Sequence, residues 1–305
     1  MSDSRLAPGS RVAIAGASGL IGSALARSLT SDGYEVIRLV RRAPVGKDEV
    51  QWDPEGHRLD AARLEGCAAV VNLAGAGVAS RYWTKAYKEK IRRSRVLGTK
   101  TLADAVASLD SPPGVFVNGS AIGFYGDTDG RAVDESAPAG DGFLSSLCVE
   151  WEGATAAVQE AGVRTVLVRT GLVVARKGGA WGKLFPLFKA GLGGRMGSGG
   201  QYWSFVSLHD EVAAIRHLID TESLSGPFNL TAPEPLTNRE ITEAMGRVLH
   251  RPTVLATPAP LLRLALGGMS DDILGSQRVL PTRLLESGFT FAFPTIEGAL
   301  RAALR

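Results

Sequence analysis

Three glycines near the start of the chain have the spacing and the neighbours of a phosphate-binding turn. Gly16, Gly19 and Gly22 recur at every third residue, between an apolar run over residues 12–15 and a helix-like run over residues 23–29. In such a turn the first glycine permits a sharp bend off the strand. The second lets a diphosphate approach the backbone, and the third lets the helix pack closely on the sheet. The pattern predicts a dinucleotide site, and its alternative is an ordinary strand–turn–helix.

Two arginines stand where the identity of the dinucleotide is usually decided. Arg41 and Arg42 follow the second predicted strand, residues 35–40. Many NAD sites have an acidic residue there that holds the ribose 2′-hydroxyl. Guanidinium groups suit a 2′-phosphate instead, because they are cations with several donors. The pair therefore favours NADP over NAD, with a solvated arginine pair as the alternative.

A basic segment follows further along the chain. Residues 81–95 contain seven Lys or Arg residues, among them Arg81, Lys88 and Arg95, against the single acid Glu89. On a helix such a run is typical of a solvated face, and beside a dinucleotide it can help to hold phosphates. The net charge of the whole chain is only +3, which is too small to indicate a nucleic-acid partner.

These residues need a scaffold, and the order of predicted elements supplies one. Apolar strands alternate with helical runs, which indicates the α/β class with a doubly wound parallel (Rossmann-like) sheet. The predicted strands and helices lie at residues 12–15, 35–40, 68–75, 84–108, 115–120, 144–161 and 164–169. Ligands of such sheets lie beyond the carboxyl ends of the strands. The loops at 16–22, 41, 72–75, 120–126 and 169–171 are therefore expected around one crevice.

The connecting segments are less regular. Residues 43–62 are predicted to be a polar loop with a turn at 52–56. Residues 177–201 are glycine-rich and predicted to lack regular structure, either as a mobile lid over a substrate or as a plain surface connection. A helix is expected to begin near residues 207–211, with Ser207 or Asp210 as its cap.

A change of composition near residues 231–235 divides the chain. We predict an NADP-binding Rossmann-like domain over residues 1–232 and a small C-terminal domain over residues 233–305, which would bind substrate or a partner. The second unit has predicted helices at residues 237–249, 258–266 and 294–304.

Composition limits the class of protein. The 305 residues are 45% hydrophobic and 21% charged, as in soluble globular proteins, and no apolar run is long enough to span a bilayer. Residues 1–5 lack an apolar signal core, so export is not expected. The two cysteines, Cys67 and Cys148, fit a reducing cytoplasm, and the four histidines show no metal-ligand spacing beyond His209 and His217. A cytoplasmic protein without a metal, a membrane or a nucleic-acid partner is expected.

Further motifs extend over almost the whole chain and carry a family resemblance. Besides the glycine turn they are the segments at residues 71–75, 94–95, 120–126, 143–144, 151–152, 169–171, 191–194, 197–199 and 277–281. Together they resemble the atypical and extended short-chain dehydrogenase/reductases. The match is to NAD(P)-dependent epimerase/dehydratase-like proteins with a small C-terminal domain of uncharacterised function. Plant relatives have been linked with plastid division.

The resemblance implies a Rossmann fold that binds NADP. In it Arg95 takes a helix position where related enzymes often have asparagine, and its long cation can reach the cofactor. The expected cofactor-binding residues are Gly16, Ser18, Gly19, Leu20, Ile21, Gly22, Val40, Arg41, Arg42, Asn72, Leu73, Ala74, Gly75, Arg95 and Arg169.

The usual proton-transfer pair of this superfamily is missing. Its enzymes use a Tyr with a Lys four residues later, and a Ser, because the Lys lowers the pKa of the Tyr phenol. Here the pair would fall on Phe143 and Leu147 or on Leu144 and Cys148, none of which can transfer a proton in that way. The catalytic residues are therefore unknown. The candidate substitutes are Ser120 (or its neighbour Ala121), Tyr125 and Lys88, with Arg81 beside Lys88 in the basic segment.

Two functions remain open from the sequence. One is an NADP-dependent oxidoreductase or epimerase that transfers hydride on a small carbonyl or sugar-type substrate without the Tyr–Lys pair. The other is a non-catalytic NADP(H)-binding scaffold or sensor that acts through a protein partner. A pocket beside the nicotinamide that is plugged by Phe143, Leu144 or Trp203 would favour the second. A homodimer is a candidate oligomeric state, because dimers are common among relatives.

Overall fold

The architecture is an eight-stranded sheet between helical layers, followed by a small lobe. The computed structural model describes residues 6–305, so the expectation for residues 1–5 lies outside the described residues. The strands are β1 (Arg11–Ala15), β2 (Glu35–Val40), β3 (Glu49–Asp53), β4 (Arg58–Leu59), β5 (Ala69–Asn72), β6 (Val115–Ala121), β7 (Thr165–Thr170), β8 (Leu172–Val174), β9 (Gly194–Met196), β10 (Tyr202–Trp203), β11 (Phe205–Ser207), β12 (Gly226–Leu230), β13 (Leu236–Thr237) and β14 (Leu255–Thr257).

The helices fall into two groups, those that flank the sheet and those that build the lobe. They are α1 (Leu20–Ser31), α2 (Lys85–Ala107), α3 (Phe143–Gly153), α4 (Ala156–Glu160), α5 (Trp181–Lys189), α6 (Leu208–Asp220), α7 (Asn238–Leu249), α8 (Ala259–Leu266), α9 (Met269–Leu274), α10 (Thr282–Glu286) and α11 (Ile296–Leu304). Short 3-10 turns cover Ala61–Leu64 and Ile122–Tyr125. Within residues 6–305, no helix is both long and apolar enough to cross a bilayer.

The sheet confirms the predicted doubly wound class. Its order is β12-β7-β6-β5-β1-β2-β3-β4, and every neighbouring pair is parallel except β3 and β4. Alternation along β1 sends Val12 and Ile14 into the layer with α1 and α6, and Ala13 and Ala15 into the layer with α2. Both faces of the sheet are therefore covered, as a parallel sheet requires.

Two of the predicted segments, the polar loop at residues 43–62 and the helix at residues 144–161, differ from the structure. Residues 43–62 are not one polar loop, because β3 and β4 occur there. Val50 and Trp52 alternate inward from β3 and are buried beside Leu39. The predicted helix at residues 144–161 is broken into α3 and α4, and the Thr155 hydroxyl at the break donates to the Glu152 carbonyl at 2.7 Å.

The glycine-rich stretch at residues 177–201 is also more regular than predicted. It contains α5 and β9, and α5 buries Trp181, Phe185 and Phe188. The predicted helix after residue 207 is confirmed, with Ser207 as its cap: the Ser207 hydroxyl accepts a hydrogen bond from the Asp210 amide at 2.9 Å.

The C-terminal lobe contains the three predicted helices as α7, α8 and α11. It is joined to the preceding segment by two short ladders, β10 with β13 and β9 with β14. One apolar cluster includes side chains from α5, α7 and α11. The division at residue 232 therefore crosses a shared core, and it stays a prediction.

Candidate functional site

The glycine turn after β1 is tightly enclosed by the loop after β5. Gly16 has a left-handed backbone, with φ at +84°, and a Cβ atom there would lie 2.6 Å from the Leu73 carbonyl carbon and 2.8 Å from the Ala74 amide nitrogen. A Cβ on Gly22 would contact the Gly16 carbonyl, so α1 packs directly against the turn. Two of the three predicted glycines are thus required by contact with other backbone.

The amino end of α1 is open toward the crevice. Gly19 is its N-cap residue, no side chain caps the helix, and its first turn carries no acidic residue. Ser18 and Gly19 are exposed, while Leu20 and Ile21 are half-buried. Free amides at the positive end of a helix bind phosphate. The turn therefore fits a diphosphate. The glycines form a cradle that would be filled if they carried side chains.

The two arginines after β2 have different surroundings. Arg42 forms a bidentate pair with Glu49, at 2.5 and 2.7 Å, and these hydrogen bonds lower the pKa of Glu49 to about 2. Arg41 is exposed and has no partner among the described residues. Val40 ends the strand beside them. Of the predicted pair, Arg41 is the guanidinium that is available to a phosphate.

At the end of β5 the predicted residues separate into buried and accessible ones. The Asn72 amide group is fully buried and donates to Thr99 and to Asn118, both at 2.8 Å. Its side chain therefore points into the interior and not toward a ligand. Leu73 and Ala74 are half-buried, and Gly75 is exposed at the crevice.

Arg95 lies against this loop from α2. Its guanidinium donates to the Ala76 carbonyl at 2.9 Å and stacks over the Trp151 ring at 5.0 Å from the centroid. It also packs on Gly75, where a Cβ atom would lie 3.0 Å from the Arg95 Cζ. Burial lowers the pKa of Arg95, and it forms no ion pair within residues 6–305.

A hydrogen-bond network joins several predicted residues at the ends of β6 and β7. Arg169 is nearly buried and donates to Glu152 through Nε at 2.8 Å and Nη2 at 2.9 Å. Its Nη1 donates to the Tyr125 hydroxyl at 2.9 Å. That hydroxyl donates in turn to the Asn229 Oδ1 at 2.8 Å. Ser120 donates to Glu152 at 2.6 Å.

This network changes the expected roles of its members. The Ser120 and Tyr125 hydroxyls both point into a closed set of partners, and burial raises the pKa of Tyr125. Arg169 is neutralised by Glu152 and is not a free cation for the cofactor. Neither Glu152 nor Asn229 is among the site residues predicted from the sequence. The available signal for Glu152 was its place on α3, four residues and one helical turn after Cys148.

The wall where the Tyr–Lys pair is missing is apolar. Cys148 lies beside β6, with its Sγ 3.7 Å from the Ala121 carbonyl oxygen, and Leu144 packs on Gly123. The structure therefore places Leu144 and Cys148 toward the β6 loop. Both cysteines, Cys67 and Cys148, are buried, and burial raises the pKa of each thiol, that of Cys148 to about 11.

Lys88 belongs to a different cluster. Its ammonium group lies 5.3 Å from the ring centroid of Trp83 and 5.0 Å from that of Phe143. The ammonium group also lies close to Gly268, the residue just before α9. Burial raises the pKa of Asp272, which is on α9, to about 6. Lys88 thus sits where α2, the start of α3 and the lobe meet. No contact in the described part of the chain joins it to Ser120 or Tyr125. Trp203 is buried in the shared core and donates to the Ile273 carbonyl at 3.2 Å.

One buried carboxyl was not anticipated. Glu211 on α6 is fully buried, and its Oε1 accepts from the Thr170 hydroxyl at 2.7 Å, while its Oε2 has no partner among the described residues. Burial raises its pKa to about 8. Within residues 6–305, no group of three or more His, Cys, Asp or Glu side chains has the geometry of a metal site.

Comparison with known proteins agrees with this arrangement. The sequence profile of the NAD dependent epimerase/dehydratase family matches residues 12–230, and a domain of unknown function, DUF1731, matches residues 257–303. An epimerase family protein of Mycobacterium bovis is 48% identical over 290 residues, which cover 95% of this chain and 96% of the relative.

Solved structures extend the likeness to the fold. The crystal structure of human epimerase family protein SDR39U1 with NADPH has a TM-score of 0.89 and 32% identity, and it covers 97% of this chain and 99% of its own. A nucleoside-diphosphate sugar epimerase of Corynebacterium glutamicum has a TM-score of 0.80 and 34% identity, over 97% of this chain and 58% of that one. This chain therefore belongs to the NAD dependent epimerase/dehydratase family.

Proposed function

We propose that this chain binds NADP(H) in preference to NAD(H) and uses it for hydride transfer on a small carbonyl or sugar-type substrate. The observation that carries the proposal is Arg41, an unpaired guanidinium at the end of β2, beside a glycine cradle that side chains would fill. The human relative crystallised with NADPH supports the choice of cofactor.

The chain's own groups divide the work of binding. The first-turn amides of α1 would hold the diphosphate, and Arg41 the 2′-phosphate. Leu73 to Gly75 would pass beside the adenosine and ribose, with Arg95 behind them. The bound nicotinamide supplies a hydride donor or acceptor at C4. Around it Leu144 and Cys148 form an apolar wall that excludes water.

The proton for such a reaction has one candidate outside the closed network. Lys88 lies near Phe143, next to the Leu144 wall, and faces the lobe that would cover a small molecule. A general acid contributes about 10²–10⁴-fold to rate. Lys88→Met is therefore expected to lower kcat by about 100-fold or more, without changing NADPH affinity, if Lys88 transfers the proton. Lys85→Met, on the same helix, is the matched control.

A non-catalytic NADP(H)-binding scaffold or sensor is the second candidate function. It is favoured by the engagement of Ser120 and Tyr125 in internal hydrogen bonds and by the apolar residues at the Tyr–Lys positions. A screen of aldehydes, ketones and nucleotide sugars, read by NADPH oxidation, separates the two. Turnover of any of them supports the enzyme, and tight NADPH binding without turnover supports the scaffold.

The cofactor proposal is tested first, by titration of the protein with NADPH and NADH. We expect tighter binding of NADPH, and we expect Arg41→Ala to weaken NADPH by about tenfold or more while NADH changes little, because a charge-assisted phosphate contact is lost. Arg42→Ala is a matched variant that removes the Glu49 pair. Equal weakening of both nucleotides by Arg41→Ala would refute the 2′-phosphate role.

A further inference from the structure

The segment that runs from the end of β8 into the first turn of α5, residues 175–183, crosses the crevice; we name it the strap. Gly178 and Gly179 both have left-handed backbones, and Cβ atoms on them would lie 3.7 Å from the Leu20 side chain. Leu20 is the first residue of α1. At its other end Lys183 donates to the Ala79 carbonyl, in the loop after β5. The strap therefore reaches from the diphosphate turn to the loop beside the adenosine and ribose positions.

The strap carries three cations, and two of them have no partner within residues 6–305. Arg176 and Lys177 are exposed and have no partner within residues 6–305. No Asp or Glu occurs between residues 161 and 209. Three other cations of this stretch are engaged: Arg169 pairs with Glu152, Arg164 donates to three backbone carbonyls, and Lys183 donates to the Ala79 carbonyl. The charge of Arg176 and Lys177 is therefore available to a ligand.

Open space connects these cations with α1. A groove of about 920 Å³ runs between α1, α6 and α11, and Leu20, Ser23, Arg176 and Lys177 line its end nearest the glycine turn. A Lys or Arg side chain is long enough to turn within such a groove toward the first-turn amides. Amides and cations that converge from two sides provide a strong site for a phosphate.

We propose that Arg176 and Lys177 bind the diphosphate of NADP(H), so that the strap closes over the cofactor at the amino end of α1. This rests on the proposed function, because the same nucleotide is the ligand. Arg41 would then recognise the 2′-phosphate, which only NADPH has. The strap would recognise the diphosphate, which NADPH and NADH share.

The test uses the full chain and three probes: NADPH, NADH and 2′-AMP, which has the 2′-phosphate but no diphosphate. The double variant Arg176→Ala/Lys177→Ala is expected to weaken NADPH and NADH equally, by about tenfold or more, and to leave 2′-AMP unchanged. Arg41→Ala is expected to weaken NADPH and 2′-AMP, which both carry the 2′-phosphate, and to change NADH little. Arg27→Ala is the matched control, because Arg27 lines the same groove further from the glycine turn.

Each result has a distinct meaning. Unchanged NADPH affinity in the folded double variant, with an unchanged melting temperature, would overturn the strap proposal and leave cofactor binding intact. If Arg27→Ala weakened NADPH and NADH as much as the double variant does, the proposal would also be overturned. The cations of the groove would then attract the nucleotide by their summed charge and not by contact with the diphosphate. A steep salt dependence of NADPH binding that becomes shallower in the double variant would support it. If the wild-type protein binds neither nucleotide, the proposed function itself fails.

Discussion

Gly16 and Gly33 have the same left-handed backbone, with φ at +84°, but different surroundings. Nothing lies within 4 Å of a Cβ atom on Gly33, whereas one on Gly16 would meet the Leu73 carbonyl at 2.6 Å. A substitution at Gly33 therefore measures backbone strain alone, and one at Gly16 adds displacement of the loop after β5. Comparing the two variants therefore separates the cost of a left-handed backbone from the effect of displacing the loop beside the glycine turn.

We expect Gly33→Ala to destabilise the protein by about 1 kcal/mol, with NADPH affinity unchanged. Gly16→Ala is expected to destabilise it more and to weaken NADPH at least tenfold, because the cradle for the diphosphate is distorted. Urea unfolding and NADPH titration of both variants check this. Unchanged NADPH affinity in Gly16→Ala would show that the glycine turn does not bind the cofactor.

Glu211 gives a prediction about pH. Burial raises its pKa from the ordinary 4.5 to about 8. Between these pH values the folded chain binds a proton that the unfolded chain has lost, so the free energy of unfolding falls as pH rises from about 4.5 to about 8. We expect Glu211→Gln to match the wild type at pH 5 and to be more stable at pH 9, because glutamine does not ionise.

Thermal unfolding across this pH range tests that expectation, with the exposed Glu160→Gln as the control. A constant difference between Glu211→Gln and wild type at every pH would contradict it. Such a result would mean that Glu211 acts through packing or the Thr170 hydrogen bond and not through its charge.

Single residues were predictable where a local pattern carries the information. The glycines and Arg41 belong to one strand–helix–strand unit, β1–α1–β2, so their spacing along the chain locates them. The partners of Asn72 and Arg169 are remote in sequence: Asn118 and Glu152 approach them only when β6 and α3 pack. For that reason the sequence could not show that these two side chains are engaged internally.

At the scale of elements, α5 shows why composition misleads. Gly182 and Pro186 weaken its helical signal, but Trp181, Phe185 and Phe188 recur at helical spacing and are buried. Packing of that apolar face outweighs the poor propensity. The same holds for β3, whose two inward side chains, Val50 and Trp52, are too few to stand out in a polar stretch.

The strap gives a prediction at this scale. Lys183→Met removes its hydrogen bond to Ala79. If the strap closes over the cofactor, NADPH is expected to dissociate about fivefold faster, since one hydrogen bond is worth about 1 kcal/mol. Stopped-flow displacement measures this rate, with Lys189→Met on the same helix as the control. Equal rates in all three proteins would show that the tie to Ala79 does not hold the strap closed.

At the scale of the whole molecule, the lobe is integrated with the sheet domain. Met245 and Leu300 from the lobe share a buried cluster with Phe185 and Phe205. Asp210 on α6 accepts hydrogen bonds from two backbone amides of the lobe, at residues 292 and 293. The boundary predicted at residue 232 marks a change of composition, but the packing on its two sides is continuous.

We therefore expect the full chain to unfold in a single cooperative transition, with equal calorimetric and van't Hoff enthalpies. A fragment of residues 1–232 is expected to aggregate, because it exposes the shared cluster to water. Differential scanning calorimetry and size-exclusion chromatography check the two statements. A soluble, folded fragment that binds NADPH would establish the sheet domain as independent.

The parallel sheet was predictable because alternating strands and helices leave few topologies. The placement of the lobe was not, since it depends on side chains that meet across more than 50 residues, such as Phe185 and Met245. The homodimer, the cytoplasmic location and a protein partner stay predictions.

The burial of Cys67 and Cys148 makes the chain convenient for fluorescence work. Maleimide dyes react with accessible thiolates, and both native thiols are hidden and have raised pKa values. A single Ala180→Cys change on the strap would thus accept one dye per molecule without removal of the native cysteines. Its emission would report, in real time, whether the strap moves when NADPH arrives.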